Sequence, residues 1–136
     1  MNNKDISLVL GSGGARGMAH IGVIQCLEAR GYSIRYIAGS SIGALVGGIY
    51  AAGKLDEYAN WVSELDKTDV LRLLDWSFAR GGIFKGEKII GVLKKLVGER
   101  NIEDLSIGFT AVATDLNSER EIWFNRGPLF DAIRAS

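Results

Sequence analysis

Several things are scarce in this chain, and each scarcity excludes something. Cysteine occurs once, at Cys26, so no internal disulfide can form, and a reducing compartment is expected. Charge of either sign is not in excess: 16 Lys and Arg balance 16 Asp and Glu. No basic surplus points to nucleic acid, and no acidic tail points to a solvating segment. Long hydrophobic runs are missing too. Ile6 to Leu10 is only strand length and follows the polar Asn2 to Asp5, so the N-terminus does not read as a secretory signal. Nothing approaches a membrane-spanning length. There is no internal repeat, low-complexity tract or linker. Proline occurs once, against 18 glycines.

What is present is apolar and punctuated. Hydrophobic residues make up 47% of 136, enough for one domain with a real core and too few residues for two. The glycines cluster at turns between apolar runs, which suits an α/β layout with close backbone approaches. Ile6 to Leu10 reads as a buried strand. It runs into Gly11-Ser12-Gly13-Gly14-Ala15-Arg16-Gly17. A helix is expected from Met18 to Arg30, with Met18, Ile21, Ile24 and Leu27 on one face and Gly31 as its C-cap. Ser33 to Ala38 reads as a second strand. This β–loop–α–β order predicts two adjacent parallel strands with a right-handed crossover. Both glycine turns then lie at the carboxyl edge of the sheet, where open α/β sheets bind ligands.

The second turn is Gly39-Ser40-Ser41-Ile42-Gly43, a G-x-S-x-G pentapeptide between an apolar strand and the helix-compatible run Ile42 to Ala52. In a nucleophile elbow the serine takes a strained backbone at such a strand-to-helix turn. Glycines two residues either side leave room for strand and helix to pass closely. The hydroxyl then projects above a helix N-terminus that favours negative charge. The bland alternative is a plain packing turn.

The rest of the chain supplies structure. Gly53 reads as a cap, Leu55 to Leu65 as a helix, and Asp66 to Trp76 as a less regular segment with a short helix. Gly81 to Gly86 reads as turn-rich. Glu87 to Val97 is an amphipathic helix stopped by Gly98. Gly108 to Thr114 and Glu121 to Phe124 read as strands joined by a hairpin at Asp115 to Ser118. Leu129 to Ala135 starts a further helix after Gly127-Pro128.

The first glycine loop admits two ligand readings. Dinucleotide binding fits poorly, because the G-x-G-x-x-G register puts Arg16 where the third glycine belongs. Ser33 to Ala38 also lacks the acidic ribose ligand expected there. An oxyanion hole fits better: consecutive glycines let backbone N–H groups converge on an anion at a helix N-terminus.

A Gly-rich loop after the first strand and G-x-S-x-G after the second resemble the patatin-like phospholipase family of serine lipid hydrolases. The resemblance continues in Ala19-His20-Ile21-Gly22-Val23, in Ala113-Thr114-Asp115-Leu116 and in Asp131-Ala132-Ile133-Arg134-Ala135-Ser136. It implies an α/β, three-layer patatin-like fold, with a largely parallel sheet flanked by helices, over residues 1–136. It implies Ser41 as the catalytic nucleophile. The family's D-G-G-G-x-R-G loop maps onto Gly11 to Gly17, giving Gly13, Gly14, Arg16 and Gly17 as the oxyanion-hole set; Gly11 and Ser12 depart from it. The family works with a Ser–Asp dyad, needs no metal or organic cofactor and has no catalytic histidine. Its aspartate lies in a D-G-G or D-G-A triplet, which this sequence does not contain. The resemblance therefore reads as the N-terminal portion of such a domain; truncation, proteolysis and a gene fragment all fit. The implied partner is a lipid or acyl-ester substrate, met by a cytoplasmic protein with peripheral contact at the inner membrane face. A homo-oligomer is compatible with it. Two competing readings are an inactive module that binds lipid or protein, and a nucleotide-binding domain on the first loop.

Other chemistry-bearing residues have plainer expectations. His20 is expected to pack beneath the glycine loop, Asp115 to turn the chain and Asp131 to sit in a helix's first turn. Ser40 should point away from the site. Cys26 is expected buried and inert. Trp61, Trp76, Phe78 and Phe84 read as core, and Leu73 to Phe84 is expected to form a cap over the site.

Overall fold

The computed structural model describes residues 4–66, 68 and 83–136. The first apolar run forms strand β1 (Asp5–Leu10) and the second forms β2 (Ser33–Ser40). They pair in parallel, with Leu10 opposite Gly39. A register shift accommodates one extra residue, Arg35, whose guanidinium reaches back to Asp5 at 3.2 Å. Between the strands, the loop tightens into a 3-10 turn (Gly14–Met18) and then helix α1 (Ala19–Ala29). Ile21 and Ile24 carry its buried face. Gly31 ends the connection with φ +78°, a left-handed conformation that glycine adopts without a Cβ penalty.

Helix α2 (Ile42–Ala51) starts one residue after β2, and helix α3 (Leu55–Ser63) follows it. Helix α4 spans Ile83–Val97. It therefore begins inside the stretch that reads as turn-rich in sequence. Gly86 costs a helix interior about 1 kcal/mol relative to alanine, and the buried stripe of Ile90, Leu93 and Val97 outweighs that. The chain returns to the sheet as β3 (Gly108–Asp115), parallel to β2, and turns into β4 (Arg120–Phe124), antiparallel to β3. Helix α5 (Leu129–Ala135) closes the described chain. The spatial strand order is β1-β2-β3-β4. This is an α/β fold, consistent with the patatin-like one.

Stepping from β1 to β2 to β3 always in one direction has a consequence. Right-handed crossovers then put their helices on one face of the sheet. The Tyr50 hydroxyl of α2 donates to Glu28 of α1 at 2.8 Å, so the two helices are neighbours. Leu10, Ile37, Phe109 and Ala111 point into that helical layer and are buried. The alternate residues point the other way: Val9 is 80% exposed and Trp123 67%. Tyr36 shares that open face. Its ring lies against the Cα of Gly108, where a Cβ would collide with it, and its hydroxyl pairs with Thr110 at 2.5 Å.

Trp61 packs partly buried beside Tyr58, their ring centroids 6.0 Å apart. Trp76, Phe78, the short helix read between Asp66 and Trp76, and nearly all of the cap read at Leu73 to Phe84 lie outside the described residues, as does the side chain of Phe84.

Candidate active site

Ser40 is the last residue of β2 and Ile42 the first of α2, so the whole reversal falls on Ser41. Its backbone sits at φ 55°, ψ −121°. Such a conformation costs an L-residue on the order of 1–3 kcal/mol, and surrounding structure must impose it. The flanking glycines show how. A Cβ on Gly39 would lie 2.6 Å from the amide nitrogen of Ala44. One on Gly43 would lie 2.7 Å from the Gly11 carbonyl oxygen and nearer still to that of Leu10. The first turn of α2 is therefore pressed against both β2 and the end of β1. Every residue from Ile42 to Ile49 is buried, and Gly47 and Gly48 let the helix lie directly on Ile37 and Phe109.

The glycine loop meets this elbow at a second point. Gly17, buried in the 3-10 turn, has its Cα against Ile42; a Cβ would come within 2.9 Å of Ile42 Cγ1. Gly14 has φ +52°, and the Arg16 amide donates to the Gly13 carbonyl at 3.1 Å. Gly13 and Arg16 are exposed and Gly14 is half-buried. His20 Nε2 bonds the Gly11 carbonyl oxygen at 2.9 Å, which makes Nε2 the protonated nitrogen. The histidine braces the loop from α1, as the sequence implied. Two turns separated by a strand and a helix thus share one rim, with a half-buried serine at a helix N-terminus.

The other predicted residues fall elsewhere. Asp115 turns the hairpin: its carboxylate accepts from the Asn117 amide at 2.9 Å and from the Ser118 hydroxyl at 2.7 Å. The Ser118 bond, then the Asn117 amide, hold its carboxyl below the usual range. Asp131 lies in the first turn of α5, beside a groove of about 390 Å³ lined in part by Lys94 and Arg100. A second groove, about 460 Å³, opens at the amino end of β2 and β3 near Arg35 and Arg126. Neither includes Ser41. Cys26 is exposed, against the expectation that it is buried. Ile21 and Ile24 face the core, which turns position 26 outward.

One residue went unassigned in sequence. Ser136 Oγ accepts the Ser41 amide hydrogen at 2.9 Å and donates to the Val112 carbonyl at 2.5 Å. The two serines are 95 positions apart, and the pairing of β2 with β3 together with the packing of α5 on α2 brings them together. Among the described residues, no helix is long and apolar enough to cross a membrane.

Comparison with known proteins is consistent with this layout. A family model described as patatin-like phospholipase matches residues 8–136. An uncharacterised NTE family protein of Mycobacterium tuberculosis is 57% identical over 131 residues, 96% of this chain and 36% of its own length. A patatin-like phospholipase domain-containing protein of Caenorhabditis elegans is 38% identical over 141 aligned residues, covering all of this chain and 10% of its own length. A neuropathy target esterase of Drosophila persimilis is 31% identical over a similar span, again 10% of its length. The chain thus spans about a third or less of these relatives.

Proposed function

Because the chain belongs to the patatin-like phospholipase family, which supports a lipid-hydrolase kind of function, we propose that it forms the nucleophile half of a serine acyl hydrolase. The observation that carries this reading is the strained Ser41 backbone at a strand-to-helix turn abutting the glycine loop. Ser41 Oγ attacks the ester carbonyl and gives its proton to an aspartate outside these 136 residues. A serine hydroxyl is a poor nucleophile until something accepts that proton. The amides of Gly13 and Gly14 hold the oxyanion, with Arg16 and Gly17 shaping the loop that presents them. The tetrahedral intermediate collapses, the alcohol leaves with the proton, and water releases the acyl group from Ser41. The substrate is a phospholipid, lysophospholipid or related acyl ester, met at a membrane surface by a peripheral protein.

A fluorophosphonate ester tests this. Labelling at Ser41, abolished in Ser41→Ala, supports a reactive hydroxyl. Labelling only in a longer form that carries a D-G-G triplet favours an inactive fragment whose role is lipid or protein binding. No labelling in either form refutes the hydrolase reading.

A further inference from the structure

We propose that the Ser136 hydroxyl is a positioning group for the Ser41 nucleophile, spliced into the sheet where the β2–β3 ladder ends. The proposal rests on the hydrolase reading for its functional half and on geometry for the rest. Ser40 and Val112 are the last register partners of β2 and β3. Beyond them β2 must become a helix, so the Ser41 amide swings away from the neighbouring strand. A single hydroxyl bridges the gap: Ser41 N–H donates to Ser136 Oγ, and Ser136 O–H donates to Val112 O. The bridge needs one atom that both accepts and donates, which serine and threonine hydroxyls supply. Alanine supplies neither, and an amide side chain carries its donor and acceptor on different atoms.

The hydroxyl is itself held firmly. Ser136 N–H bonds the Ala132 carbonyl at 3.1 Å, so the residue is tied to the last turn of α5. Leu129, Phe130 and Ile133 bury that helix in the core. The strained φ of Ser41 is thereby braced from three sides: Gly39 below, the Leu10–Gly11 peptide against Gly43, and Ser136 on its own amide. The first two constrain the neighbours of Ser41. The third holds Ser41 itself, on its amide, while the Leu45 amide donates to its carbonyl at 3.0 Å; the two bonds fix the peptides on either side of its Cα, and with them the direction in which Oγ leaves the backbone.

The test compares wild type, Ser136→Ala and Ser136→Thr. Hydrogen exchange of the Ser41 amide is read by NMR, and the labelling rate constant at Ser41 by fluorophosphonate. Ser136→Ala is expected to raise Ser41 exchange about tenfold while leaving the core amides of Ile24 and Ile49 unchanged. It is expected to slow labelling by a similar factor without loss of maximal labelling, and Ser136→Thr to restore both. Unchanged Ser41 exchange in Ser136→Ala overturns the proposal. So does faster exchange throughout the chain, which marks a structural role only. If wild-type Ser41 takes no label even in a longer form, the hydrolase reading fails and the functional half falls with it; the Ser41 exchange still decides the splice.

Discussion

Replacing Ser41 by glycine should make the protein more stable, and the size of the gain can be worked from the backbone. At φ 55°, ψ −121° the serine Cβ crowds its own chain. Glycine sees this conformation as the mirror image of an ordinary extended one and carries no such penalty. Relief of strain is worth about 1–3 kcal/mol. Against it stands the extra conformational entropy that glycine loses on folding, about 0.5–1 kcal/mol. The net expectation is a gain of about 1 kcal/mol, or roughly 3–4 °C in Tm for a chain of this size. Ser41→Ala is the control, because alanine keeps the Cβ and so keeps the strain. Urea and thermal unfolding of the two variants side by side give the difference directly. A glycine variant no more stable than the alanine variant would falsify the claim that the elbow stores strain.

Three further expectations follow from the same geometry and its surroundings. Gly43→Ala should cost about 2–3 kcal/mol or fail to fold, because its Cβ lands on the carbonyl oxygens at the end of β1. Gly22→Ala on the exposed face of α1, where nothing lies within 4 Å of the added carbon, should instead gain about 1 kcal/mol; chemical denaturation that ranks the two the other way refutes the packing account. Asp115 should titrate below its ordinary value of 3.8. Its unfolded pKa is then the higher one, so its contribution is complete above about 3.8 and is lost as pH falls through the folded value. An NMR titration of the Asn117 amide reads this, and a midpoint at or above 3.8 counts against the hairpin bonds.

The elements around the site were legible because each is announced twice. Ile6 to Leu10 and Ser33 to Ala38 are apolar runs ended by glycine turns, and a strand, turn and helix in that order leave one parallel, right-handed solution. The strained Ser41 was legible from glycines at 39 and 43, whose missing side chains are space that strand and helix must share. Local signals failed where packing decided the outcome. Gly86 reads as a turn by itself, yet it is helical because Ile90, Leu93 and Val97 bury the helix it belongs to. Cys26 has a buried residue type's prior, but its position lies off the Ile21–Ile24 stripe. Ser136 carried no signal of its part at the elbow, since its partners are Ser41 and Val112 and only the assembled sheet makes them neighbours.

The single direction in which β1, β2 and β3 advance also dictates how this architecture can be extended. β4 runs antiparallel and occupies the far side of β3, so among the described strands only β1 keeps a free edge for direct parallel pairing with the β1–β3 set. After β4 the chain comes back to the α2 side, where Leu129 and Ile133 of α5 close on Gly48, while Val9 and Tyr36 on the opposite side stay exposed among the described residues. The outer margin of β1 and the side that carries Val9 are thus, among the described residues, two places where this sheet still offers backbone or apolar surface to a partner.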